Sequence, residues 1–96
     1  MNLKLFMEQF EMYQFTFVDK KTKMHAAIYA RTEEIAYRII NIWNEFDDHY
    51  HWVKARFRFK KKYMTYIPPY ELEQEQEETV LEMKEKYLLR KHSKLV

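Results

Sequence analysis

"EMYQFTFVDKKTKMHAAIYA", residues 11–30, decides the fold. Tyr13, Phe15 and Phe17 alternate with Met12, Gln14, Thr16 and Val18, the period-two pattern of a strand built from strand-favouring residue types. "DKKTK" is polar and reads as a turn, after which "MHAAIYA" resumes the alternation with Met24, Ala26 and Ile28 on one side. Two such runs around a polar turn predict a β-hairpin. Upstream, residues 3–10 fit two templates. Leu3, Phe6, Met7 and Phe10 make a helical stripe, while Leu3, Leu5 and Met7 make a strand face, so the segment is left open between them.

Downstream, Thr32 is placed to cap a helix whose first turn carries Glu33 and Glu34, where acids complement the helix dipole. Ile35, Ala36, Ile39, Ile42, Trp43 and Phe46 then define a wide apolar face through about Phe46. Residues 52–60 read as a third strand, and "KYMTYI", 62–67, as a fourth stopped by Pro68 and Pro69, which cannot donate to a ladder. From there the pattern is helical almost to the end of the sequence. Val80, Met83, Tyr87 and Leu88 form one stripe, and Leu81, Leu88 and Leu95 recur every seven residues, which fits either a closed core or a homodimer seam. A helix over 71–94 would be roughly 36 Å long.

The order of elements, ββα-ββα, predicts an α+β fold: one small domain over residues 1–96, an antiparallel sheet of three to four strands, helices on one face and a long C-terminal helix. Ninety-six residues suffice for one core. An apolar fraction of 47%, with 18% aromatic residues, separates the chain from disordered compositions. There is no cysteine, which excludes disulfides, thiol nucleophiles and cysteine-ligated zinc and fits a cytoplasmic location. No run approaches the roughly 18 apolar residues of a membrane helix, and the N-terminal residues lack the apolar core of a secretory signal, so no membrane role is expected. Nor is there any glycine, which removes the phosphate-binding glycine loops, the dinucleotide fingerprint and the nucleophile elbow.

The net charge of +2 conceals a segregation. Residues 49–70 hold six bases and no acid, residues 71–82 six acids and no base, and residues 83–96 five bases against one acid. Acid-first order suits the dipole of the last helix. The acidic run could also lie across the basic strand and neutralise it.

"WVKARFRFKKK", residues 52–62, is the candidate site. As a continuous strand it would place Lys54, Arg56, Arg58 and Lys60 on one face with Trp52, and Val53, Ala55, Phe57 and Phe59 on the other, toward the core. Like charges would then stand roughly 6.6 Å apart, close to two nucleotide rises, so the row could follow a phosphate backbone. Repulsion between such neighbours is about 0.6 kcal/mol in water, a cost a solvated strand face tolerates without a ligand. Lys61 and Lys62 extend the patch, and Trp52 and Tyr63 flank it as stacking candidates.

Other constellations are weaker. "DDHYH", 47–51, offers an His-x-His pair for a metal but no identifiable third ligand, so no metal and no cofactor is expected. Glu82-Met83-Lys84 has a nuclease-like spacing but lies in helical periodicity. The carboxylates cluster at helix starts, where they are solvated, and no catalytic constellation emerges. The expectation is a non-enzymatic binding protein that engages nucleic acid, or an acidic nucleic-acid-associated surface, through Trp52, Lys54, Arg56, Arg58, Lys60, Lys61, Lys62 and Tyr63. The alternative is a protein-binding regulator or inhibitor, as among phage or mobile-element proteins that act on a host protein, using the basic face and the C-terminal helix.

Overall fold

The hairpin alternation is realised as β1 (Phe10–Asp19) and β2 (His25–Ala30), paired antiparallel from Tyr13 opposite Ala30 to Val18 opposite His25. The structure, a computed structural model, describes residues 8–45 and 51–93. The ambiguous N-terminal stretch lies mostly outside the described residues, and its last member, Phe10, opens β1. The turn is closed by Asp19, whose Oδ1 accepts from the amides of Lys21 (2.8 Å) and Thr22 (3.4 Å), and by the Lys23 amide donating to the Asp19 carbonyl at 2.8 Å. Lys23 sits in the left-handed region, φ 64°, where a glycine would be usual and this chain has none.

α1 (Glu33–Asn44) begins as its capping sequence predicts. The Thr32 hydroxyl accepts from the Ile35 amide at 3.3 Å, with Glu33 and Glu34 in the first turn. Its buried face is Ala36, Ile39 and Ile40, with Ile35, Ile42 and Trp43 half-buried against the same cluster. Phe46 lies outside the described residues. α2 (Pro69–Ser93) starts two residues earlier than its acidic run suggested, because Pro69 takes the first helical position, where a missing amide costs nothing, and the Leu72 amide reaches the Pro68 carbonyl at 3.2 Å.

The second half of the sheet departs from the sequence reading. A single strand over 52–60 does not form; the chain makes β3 (Trp52–Lys54), leaves the ladder, and returns as β4 (Lys60–Thr65). Both pair antiparallel with β1, β3 over Phe17 to Asp19 and β4 over Phe10 to Phe15. Because β2 already occupies one side of β1, β3 and β4 share the other. The fold is thus α+β with a four-stranded antiparallel sheet in which β1 is the partner of every other strand.

Phe15, Phe17, Ile28, Ala30, Ala36, Ile39, Ile40, Phe59 and Val80 form the core between sheet and helices. The Phe59 ring lies 5.5 Å from Phe15 and 5.3 Å from Phe17, in tilted and edge-on geometries favoured by aromatic pairs. In α2, Val80 is buried while Tyr87 and Leu88 are half-buried and Met83 and Leu81 exposed, so the distal half of the helix contributes little to the core. Leu95 lies outside the described residues.

A sheet this narrow has both edges near the surface, and side chains complete the β2 edge and the β3 part of the other. On the β2 edge, the Gln76 amide accepts from the Tyr29 amide at 2.8 Å and donates to the Tyr29 carbonyl at 2.6 Å, standing in for a neighbouring peptide unit. One turn earlier, Glu73 is buried and accepts from the Arg31 backbone amide at 2.8 Å and from its guanidinium at 2.7 Å. The hydrogen bonds Arg31 donates to Glu73, then the Glu73 charge, hold the Arg31 pKa above the ordinary arginine value. On the other edge, Asn44 does the same for Trp52, accepting from its amide at 2.7 Å and donating to its carbonyl at 2.9 Å.

Loss of one such amide leaves two backbone groups without partners. Gln76→Ala is expected to lower the unfolding free energy by about 1–3 kcal/mol in urea titrations. Gln74→Ala, exposed on the same helix, should change it by less than about 0.5 kcal/mol. Equal effects would deny the edge-completing role.

Candidate functional site

The break between β3 and β4 is held from both ends by one residue. The Ala55 amide donates to the Thr16 carbonyl at 3.0 Å, and the Thr16 amide donates to the Phe59 carbonyl at 2.8 Å. Five residues, 55–59, therefore oppose Thr16 alone, and Arg56, Phe57 and Arg58 are extruded from the ladder as an enlarged bulge. Ala55 and Phe59 at its base are 4% and 8% exposed, whereas Phe57 at its tip is 83% exposed. The expectation that Phe57 faces the core is thereby corrected: a bulge resets the strand alternation, and the inward positions become Ala55 and Phe59 only. Arg58 closes the excursion at φ 56°, a left-handed conformation costing a non-glycine residue roughly 1–2 kcal/mol.

The flanking lysines are ordered by aromatic rings. Lys54 Nζ stands 5.0 Å from the centroid of Phe59, and Lys60 Nζ 4.2 Å from that of Tyr13, both within cation–π range. Lys62 pairs with Glu11 at 3.7 Å across the strand, an exposed contact that contributes at most about 1 kcal/mol. Lys54, Arg56, Arg58, Lys60 and Lys61 make no ion pair among the described residues. Arg58, Lys60 and Lys61 line an open surface depression of about 410 Å³.

The acidic run does not lie over these cations. Glu73 and Gln76 fix the first turns of α2 to the outer edge of β2, two interstrand spacings, roughly 10 Å, from the edge that carries the bulge. Of the sequence-predicted residues, the structure brings Lys54, Arg56, Arg58, Lys60 and Lys61 to one edge without acidic partners. Lys62 is tied to Glu11 there. Trp52 is half-buried against the core, its backbone held by Asn44, and the Tyr63 ring leans on Tyr29 at 4.5 Å in a tilted contact that leaves it partly exposed, so neither ring projects as Phe57 does. The most exposed aromatic among the described residues is Phe57, at 83%, which sequence reasoning put inside; Tyr70, Tyr66 and Tyr63 are exposed to a lesser degree. The signal that could have found it is a length mismatch: residues 52–65 outrun the ten residues of β1 that they follow, so some must leave the ladder.

A second concave feature is apolar. Met24, Ile28, Ile40, Trp43, Trp52 and Tyr87 are among the residues around a groove of about 380 Å³ between the hairpin, α1 and α2. Among the described residues no group of three or more histidines or acids is placed to hold a metal ion, and Asp47, Asp48 and His49 lie outside them. Nor is any described helix long and apolar enough to cross a membrane. The site and fold define a small α+β domain with a cationic bulge on its free sheet edge. Comparison with family models, curated proteins and solved structures gives no match to this chain.

Arg58 carries backbone strain that the fold itself does not use. Arg58→Gly is expected to raise the unfolding free energy by about 0.5–1 kcal/mol, the left-handed penalty less the extra chain entropy of glycine. Thermal and urea unfolding measure this; a loss of stability would mean that the arginine side chain supports the fold.

Proposed function

We propose that this protein is a non-enzymatic, cytoplasmic binding protein that engages nucleic acid through Lys54, Arg56, Arg58, Lys60 and Lys61. The observation carrying this reading is the pair of arginines lifted out of the sheet on a bulge closed at both ends by Thr16, among cations without acidic partners. Lysines on β4 alone would be explained by protection of a free edge against strand pairing. Arg56 and Arg58 lie outside the ladder and protect nothing there. Guanidinium groups on a projecting turn suit bidentate contact with phosphate oxygens, and the lysines on either side extend the positive field along a backbone. The lack of cysteine fits a reducing cytoplasm.

Counterion release makes such binding salt-dependent. With about four phosphates neutralised, log K against log salt should slope near −2.8 on a single strand and near −3.6 on a duplex. Anisotropy titrations of labelled 20-mers between 50 and 200 mM salt measure it. Replacing Lys54, Arg56 and Arg58 together by Ala should reduce the slope by roughly two to three units. A flat salt dependence, or unchanged binding by the triple variant, would sink the reading.

The apolar groove favours a second reading, a protein-binding regulator or inhibitor. Its two tryptophans, and Met24 and Met83 at 63% and 51% exposure, suit an apolar anchor from a protein partner, with exposed Leu81 and Leu89 on α2 as adjoining surface or a homodimer seam. Affinity capture from lysate separates the two readings. Partners lost on nuclease treatment support the first; a nuclease-resistant, stoichiometric protein lost on Met83→Lys supports the second.

A further inference from the structure

Phe57 is the one phenylalanine among described core-forming strands and turns whose placement the fold does not account for. Phe15 and Phe17 are fully buried, and Phe59, two residues on, packs against Phe15, Phe17 and Tyr37. Phe57 is 83% exposed at the tip of the bulge, between two arginines. Protection of a free sheet edge calls for charge and argues against an exposed aromatic, which invites the association that charge prevents. Hydrophobic burial cannot have placed it either, since the strand alternation would have turned it inward had the chain stayed in the ladder.

We infer that the bulge binds single-stranded in preference to duplex nucleic acid, with an unpaired base stacked on the Phe57 ring and the adjoining phosphate held in the depression lined by Arg58, Lys60 and Lys61. The inference rests on the nucleic-acid reading above and deepens it. In a duplex both faces of every internal base are covered by neighbours, so a projecting ring finds nothing to stack on; in a single strand each base offers a face. The juxtaposition is direct. Arg58 follows Phe57 in the chain and also lines the cationic depression, so a ring for the base and charges for the phosphate come from adjoining residues. The depression is open and lined by cations alone, which suits a phosphate approaching from solvent. Trp52 packs against the core and Tyr63 leans on Tyr29, whereas Phe57 is 83% exposed, which makes it the stacking group.

The test uses the full chain and three labelled probes of equal length, an oligo(dT), an oligo(rA) and a duplex, in anisotropy titrations at low salt. The wild type is expected to bind both single strands more tightly than the duplex. Phe57→Ala should weaken single-strand binding by about 5- to 100-fold while leaving duplex affinity and the salt slope unchanged. Phe57→Trp should restore it. Because the side chain is solvent-exposed, both variants are expected to fold, which circular dichroism checks. Equal affinity for single strand and duplex, or no effect of Phe57→Ala, overturns the inference while leaving the electrostatic reading standing. Absence of salt-sensitive binding to any of the three probes overturns both.

Discussion

Every other described strand hydrogen-bonds to β1, and the rest of the structure follows from that restriction. A sheet three positions wide has two edges, and each edge strand turns backbone amides and carbonyls away from β1, where leaving them unpaired in a packed setting costs free energy. The chain answers with side chains that imitate a strand. Gln76 supplies both a donor and an acceptor to Tyr29, Asn44 supplies both to Trp52, and Glu73 takes the Arg31 amide. Position follows from these contacts. Once Gln76 and Glu73 are bound to the β2 edge, the acidic start of α2 is committed to that side, and the cations of residues 54–61 are left at the opposite one.

The hairpin and α1 were legible because their signals are local. Alternation over 11–18, a polar turn at 19–23 and the Thr32 cap each depend on residues within a few positions of one another, and the structure reproduces them. The break at 55–59 was not legible in the same way. Val53, Ala55, Phe57 and Phe59 satisfy strand alternation perfectly well, and nothing within that segment says that the chain leaves the sheet. What decides it is a non-local count, the ten residues of β1 against the longer stretch that must follow it back. The candidate site was therefore read in part: its cations were identified, but its exposed ring was assigned to the core, while Trp52 was assigned to the surface and in fact packs inward. Pro68 and Pro69 show the same ambiguity on a small scale. They end the strand as expected, and Pro69 also begins α2.

Charge alone would be a weak argument at this edge. Lys60, Lys61 and Lys62 stand where soluble sheets commonly carry lysine, and Lys62 already pairs diagonally with Glu11 of β1. The weight falls on features that edge protection does not demand: two arginines outside the ladder, a left-handed Arg58 in a chain with no glycine, and a phenylalanine at the tip. Strain of this kind persists when the surrounding structure holds it, and here the holders are the two hydrogen bonds to Thr16 and the buried Ala55 and Phe59.

Those two hydrogen bonds also decouple the tip from the scaffold. Since the chain leaves and rejoins the sheet at the same residue of β1, the register on either side is set by Ala55 and Phe59 and not by what lies between them. Residues 56–58 therefore form a cassette. Loop-closure entropy rises only slowly with added length, so triplets of different chemistry, or inserts a few residues longer, can be carried on the same framework while the core beneath keeps its packing. In a domain this small, that makes the edge of the sheet a place where recognition can diversify independently of folding.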